Sequence, residues 1–150
     1  VTRKAATEFD HKKLQINGNY INGFSIGEKV SSVLKSMSVT NGTLKVLNSS
    51  KKEKKSTDII ATGDYITVYD ADGKVFKQYQ AVLYGDVDGD GEVNIFDHTE
   101  VKIHCWYAPS LTGAYLEAAN VDTSSEGVDI FDMVEIKIYM WYNGTIKQTR

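Results

Sequence analysis

Scarcity is informative in this chain of 150 residues, which holds one cysteine, one proline, two tryptophans and three histidines. A lone Cys105 cannot close an internal disulfide, and one thiol does not fix a redox compartment. It sits within a helical pattern whose repeat carries Met140 at the equivalent place, so it reads as a structural thiol and not a nucleophile. No apolar run approaches the roughly 18 residues that a bilayer span requires, and no signal peptide is present. The chain opens on Val1 without a methionine and reads as an excised or processed fragment, so a missing targeting signal says little about location. His11, His98 and His104 are scattered and match neither a zinc site nor a catalytic triad. No catalytic residue is assigned, and the chain is not read as an enzyme.

What is present suffices for a packed core. Hydrophobic residues make up 41% of the chain and aromatics 11%, which excludes wholesale disorder. The net charge of −3 hides a division. Residues 1–83 carry 13 Lys/Arg against 8 Asp/Glu, giving +5, whereas residues 84–150 carry 4 against 12, giving −8. Bound divalent cations would offset about four of those negative charges, so no basic partner is needed to explain them. The Lys51–Lys55 run is short and lacks interleaved aromatics, as expected of a solvated loop and not of a nucleic-acid contact.

The acidic half contains Asp86-Val-Asp88-Gly-Asp90-Gly-Glu92-Val-Asn94-Ile-Phe-Asp97. Oxygen-bearing side chains occupy loop positions 1, 3, 5, 9 and 12, glycine occupies position 6, and position 7 contributes through the Glu92 backbone carbonyl. That spacing wraps a calcium ion, a hard cation that takes several oxygens at once. Position 12 is Asp97 where the EF-hand rule has Glu.

Upstream, the pattern is mostly that of strands. Residues 1–13 lack periodicity and read as a tail or fraying element. Leu14–Ile16 and Tyr20-Ile21 flank an Asn17-Gly18 turn signal, and Thr43–Leu47 and Tyr65–Tyr69 follow. Val75–Leu83 pairs with Tyr65–Tyr69 across the Asp70–Gly73 turn. Val30, Val33, Leu34 and Met37 recur at helical spacing behind Ser25 and Glu28, whose separation is that of a capping box. Asp58, Asp70 and Asp72 read as turn residues.

From Val93 the pattern becomes helical and then repeats. Val93–Tyr107 aligns with Val128–Tyr142 at a constant offset of 35, with nine of fifteen columns identical. Between the copies, Ala108-Pro109 stops the first helix and Thr112 starts a short helical piece through Ala119. The second loop, Asn120 to Asp132, is one residue longer than a twelve-residue loop. Its candidate ligands are Asn120, Asp122, Ser124, Asp129 and Asp132. Fewer carboxylates imply weaker binding, so two ions are expected with the second held less tightly; the alternative is an empty loop kept as a helix start. Each helix carries two apolar stripes. His98, Val101 and Cys105, repeated as Met133, Ile136 and Met140, form a core face. Ile95, Thr99, Ile103 and Trp106, repeated as Ile130, Val134, Ile138 and Trp141, form a candidate partner surface rimmed by Lys102 and Lys137. The alternative for this stripe is burial against the β-rich part or across the duplicate.

Two calcium loops, each followed by one helix, resemble a dockerin, the module that plugs enzymes of polysaccharide-degrading bacteria into scaffoldins through cohesin domains. The resemblance covers residues 84–145, and dockerin loops similarly end on Asp, as Asp97 and Asp132 do here. It implies that Asp86, Asp88, Asp90, Asn94 and Asp97 hold calcium and that the pairs Ile95-Phe96 and Ile130-Phe131 meet cohesin. Many dockerins carry small hydroxyl residues at that pair. The resemblance also implies an extracellular location and, with matched repeats, two binding orientations. Residues 1–83 look like the small β-rich X modules found upstream of some dockerins. The expected fold is therefore α+β: a β-rich domain over 1–83 with one short helix, then an all-α dockerin over 84–150 with repeats at 86–107 and 120–142. Two other readings stand beside this one. A calcium sensor needs a helix before each loop, whereas a strand precedes the first. A carbohydrate-binding β domain would use tyrosines such as Tyr65, Tyr69 and Tyr79.

Overall fold

The computed structural model describes residues 5–150, so part of the expected N-terminal tail lies outside the described residues. The fold is α+β, with a β-rich N-terminal region containing one short helix and a C-terminal region of three helices. Strand β1 is Glu8–Asp10, β2 is Gln15–Asn17 and β3 is Tyr20–Asn22. Helix α1, Val30–Lys35, leads to β4, Ser38–Thr40, and β5, Gly42–Leu47. Strands β6, Tyr65–Asp70, and β7, Val75–Ala81, form the expected hairpin. Five strands make one sheet in the order β2-β3-β7-β6-β5, and β1 pairs with β4 in a separate two-stranded sheet.

Local chemistry accounts for most of this. Gly18 takes φ +58 in the two-residue connection between β2 and β3, a conformation that glycine adopts without strain. Asp70 Oδ1 accepts from the N–H groups of Asp72 and Lys74, an Asx turn that reverses the chain between β6 and β7. Ile66, Thr67 and Val68 are buried because β6 lies between two neighbours.

Two local expectations are corrected. Residues 8–10 are not a tail: Phe9 pairs with Val39 and packs on the N-terminal core beside Tyr79. The Ser25/Glu28 pair does not cap α1. Glu28 Oε2 accepts from Ser25 N and Glu28 N donates to Ser25 O, closing a turn, while the helix begins after Lys29. Gly27 at φ +75 and the bridge of Lys29 to Ile59 delay the helix start.

Helix α2 is Ile95–Trp106, α3 is Gly113–Ala119 and α4 is Ile130–Tyr142. Asn94 and Ile95 at the start of α2 line one groove with Tyr139, Met140, Trp141, Asn143 and Gly144 at the end of α4. Because α2 and α4 also pack through their middles at Val101 and Ile136, they run antiparallel. Two cores result. Leu14, Ile21, Phe24, Val30, Val33 and Ile66 belong to the first, and Val87, Val101, Ala114, Ala118 and Ile136 to the second. The segment leaving β7 joins them. Ala81 and Leu83 enter the first core while Val82 and Tyr84 enter the second, as the period-two alternation of an extended chain requires.

Candidate metal centre

The first loop leaves β7 through a turn in which Asp86 N–H donates to the Leu83 carbonyl at 3.0 Å, with Gly85 at φ +100. This turn drives Asp86 into the protein, where it is fully buried. Its Oδ1 accepts from Gly89 N at 2.9 Å and Asp90 N at 3.0 Å, and its Oδ2 accepts from Thr62 N at 2.7 Å. At the far end, Asp97 Oδ1 accepts from Val87 N and Asp88 N, and its Oδ2 accepts from Asn94 N at 2.7 Å. Asn94 in turn caps Phe96 N, so the last loop residues double as a capping box for α2.

Asp86, Asp88 and Asp97 present carboxylate oxygens that all lie within 4.8 Å of one another. Among the described residues they are the only such trio of acidic, histidine or cysteine side chains. Burial pushes Asp86 up to about 7 against its peptide donors, with the charges of Asp97 and Asp90 adding to the rise. Burial likewise lifts Asp97 to about 6 and raises Asp88. Two buried carboxylates and the exposed one of Asp88, brought this close, repel one another unless protons or a cation intervene. The donor chemistry, oxygen only, fits a hard divalent ion. The backbone also leaves no space for side chains at its tight points: a Cβ on Gly89 would stand 2.8 Å from the Thr62 carbonyl, and one on Gly91 2.6 Å from that of Ile60.

The remaining first-loop candidates sit nearby without joining the trio. Asp90 and Glu92 are exposed, and Asn94 Nδ2 lies 3.5 Å from Asp90 Oδ2. The second loop copies the capping scheme: Asp132, buried, accepts from Asp122 N at 2.8 Å and Asp129 N at 2.7 Å. Its other polar groups are turned on one another. Ser124 Oγ donates to Asp122 and Ser125 Oγ to Asp129, the latter bond holding the Asp129 pKa below the usual range. Asn120 ends α3, and its carbonyl accepts from Arg150 Nη2 at 3.0 Å.

Sequence reasoning missed Thr62, Gly27 and Tyr115. Gly27 N donates to the Gly91 carbonyl, and the Tyr115 ring lies against Gly63 and Gly89. Nothing in their local sequence marks them, because each meets the loop only through folding.

The second apolar stripe faces outward. Ile95, Thr99, Ile103 and Trp106 are exposed, as are Ile130, Val134, Ile138 and Trp141. The neighbouring Phe96 and Phe131 are exposed as well, at 66% and 59%. Lys102 Nζ lies 5.6 Å from the Trp106 ring centre and Lys137 Nζ 5.7 Å from that of Trp141, so the duplication extends to the cation–π pairs. The first stripe is internal apart from the half-buried His98, with Val101 and Ile136 fully buried and Cys105, Met133 and Met140 packed beside them.

Comparisons of the chain with protein-family models, curated proteins and solved structures return no match. No helix among the described residues is long and apolar enough to cross a membrane.

Proposed function

We propose that this chain is a non-catalytic, calcium-dependent adhesion module that docks its parent protein onto a cohesin domain of a scaffoldin, outside the cell. The observation that carries the reading is the duplicated apolar face of α2 and α4. Natural monomers rarely leave so many large apolar side chains exposed together without a partner. Here the same isoleucine, phenylalanine, lysine and tryptophan recur on both helices, directly behind the two loops. The loops start the helices that bear the face, so calcium at Asp86, Asp88, Asp90, Asn94 and Asp97 would hold α2 in place. The Glu92 carbonyl completes that set. A second, weaker site would use Asn120, Asp122, Ser124, Asp129 and Asp132.

Two features weigh against the other readings. A strand, β7, precedes the first loop, so the paired helices of an opening sensor hand are lacking there. Tyr65, Tyr69 and Tyr79 are each half-buried; Lys51 covers the Tyr65 ring at 3.7 Å and Phe9 stacks on Tyr79. They do not form an open aromatic platform for sugar.

The test is a pull-down against a panel of cohesin domains with calcium and with excess chelator, polysaccharide retention being measured in parallel. Capture by at least one cohesin in calcium, lost in chelator, supports the proposal. Retention on polysaccharide with no cohesin captured would overturn it.

A further inference from the structure

The first loop is set into the β-rich half, and one residue there holds it at two points. The Thr62 N–H reaches Asp86 Oδ2 at 2.7 Å. The Thr62 hydroxyl accepts from Leu83 N at 3.0 Å and donates to the Leu83 carbonyl at 3.2 Å. Leu83 and Asp86 are the two ends of the turn that aims Asp86 into the loop. Thr62 itself is buried at 2% exposure, so its position is set by the β-rich core. The Gly27 N–H on the Gly91 carbonyl extends the same contact. The second loop is held differently: Arg150 Nη2, from the C-terminal segment, grips the carbonyls of Asn120 and Val121.

We propose that Thr62 is a positioning residue for the first metal ligand, so that the β-rich half sets calcium affinity at the first loop and calcium in turn stabilises that half. The inference rests on the calcium reading of the first loop. A carboxylate fixed in one rotation before the ion arrives does not pay for its ordering at binding, and groups that orient ligands tune affinity accordingly. Coupling between two parts is reciprocal: whatever the folded half adds to calcium affinity, calcium returns as stability of that half. The second loop, which has no Thr62 equivalent among the described residues of the β-rich half, would be coupled to it less strongly.

The experiment uses the full chain with calcium chloride. Calorimetric titration compares the wild type with Thr62→Val, which loses the hydroxyl, and Thr62→Ser, which keeps it. Hydrogen exchange follows the amides of residues 60–66 and 79–83 as calcium is added. The expected result is about a tenfold or greater loss of first-site affinity in Thr62→Val, recovered in Thr62→Ser. Exchange in the wild type should slow with the same calcium midpoint. Unchanged affinity in a folded Thr62→Val would make the residue merely structural and overturn the proposal. If Thr62→Val does not fold, the wild-type exchange decides alone: slowing in the β-rich half supports the coupling, and indifference to bound calcium sinks it. Absence of any calcium binding by the wild type is a separate outcome, which removes the calcium reading itself and this inference with it.

Discussion

Asp86 concentrates the conflict that defines the first loop. It is buried, it accepts three peptide N–H groups that favour its charged form, and it shares its space with Asp88 and Asp97. Burial wins in the metal-free protein and lifts Asp86 to about 7 and Asp97 to about 6. A carboxyl group whose folded value is raised stabilises the fold fully below its unfolded value, near 4, and loses that contribution as pH rises through the folded value. The metal-free protein should therefore lose stability between about pH 4 and pH 7.5. A cation reverses the preference, because it favours the ionised cluster and must displace protons to bind. Thermal melts in chelator should give a lower Tm at pH 8 than at pH 5.5, and saturating calcium should raise the pH 8 value far more than the pH 5.5 value. Equal calcium-induced shifts at the two pH values would count against Asp86 and Asp97 as ligands.

At the scale of elements, the two loop–helix units share their capping but not their ligand clusters. Asp97 and Asp132 each hold a loop entrance and a helix N-terminus by the same bonds. Asp132→Ala should therefore destabilise α4 by about 1 kcal/mol or more whether or not calcium is present, since it removes the N3 half of the capping box and leaves the N–H groups of Asp129 and Asp122 without that acceptor. Asp88→Ala, an exposed side chain, should leave the chelated protein nearly unchanged and weaken only the calcium-loaded one. Denaturant melts of both variants, with and without calcium, separate these outcomes. The repeated face makes a second prediction. Antiparallel helices with matched side chains can present equivalent surfaces in two poses of similar free energy. On the proposed docking to cohesin, Trp106→Ala or Trp141→Ala alone should keep binding within about tenfold, while the double variant should lose far more than the sum of the singles. Abolition by one single variant would show that the partner uses one fixed face.

Across the whole molecule, the C-terminal segment ties the pieces together. Gln148 bonds both the N–H and the carbonyl of Tyr84, each at 2.8 Å. Arg150 lies over the Tyr84 ring at 4.2 Å, bonds the carbonyls of Asn120 and Val121, and offers its backbone N–H to Gln15. It thus meets β2 of the five-stranded sheet, the segment that leaves β7 and the second loop at once. Arg150→Ala should cost about 1–2 kcal/mol, read as a Tm fall of roughly 2–8 °C. A Tm unchanged within error would show the contacts to be inconsequential.

Local order was legible in the residues themselves. The dense Asp/Gly loop, the two helical stripes and the β6–β7 hairpin depend on neighbours within a few positions, the 35-residue repeat shows by direct comparison of the two copies, and each appears where the pattern puts it. Spacing also named Asp86, Asp88 and Asp97, the three acids that the fold brings together. The pairing of β1 with β4, the displacement of the α1 start and the grip of Thr62 on Asp86 were not legible. Each arises between segments some 24 to 32 residues apart and uses at least one backbone group of a kind that nearly every residue carries, which leaves no mark on composition. The sharing of residues 81–84 between two cores lies between these cases: alternation places side chains on opposite faces, but only the packing of sheet against helices makes both faces interior.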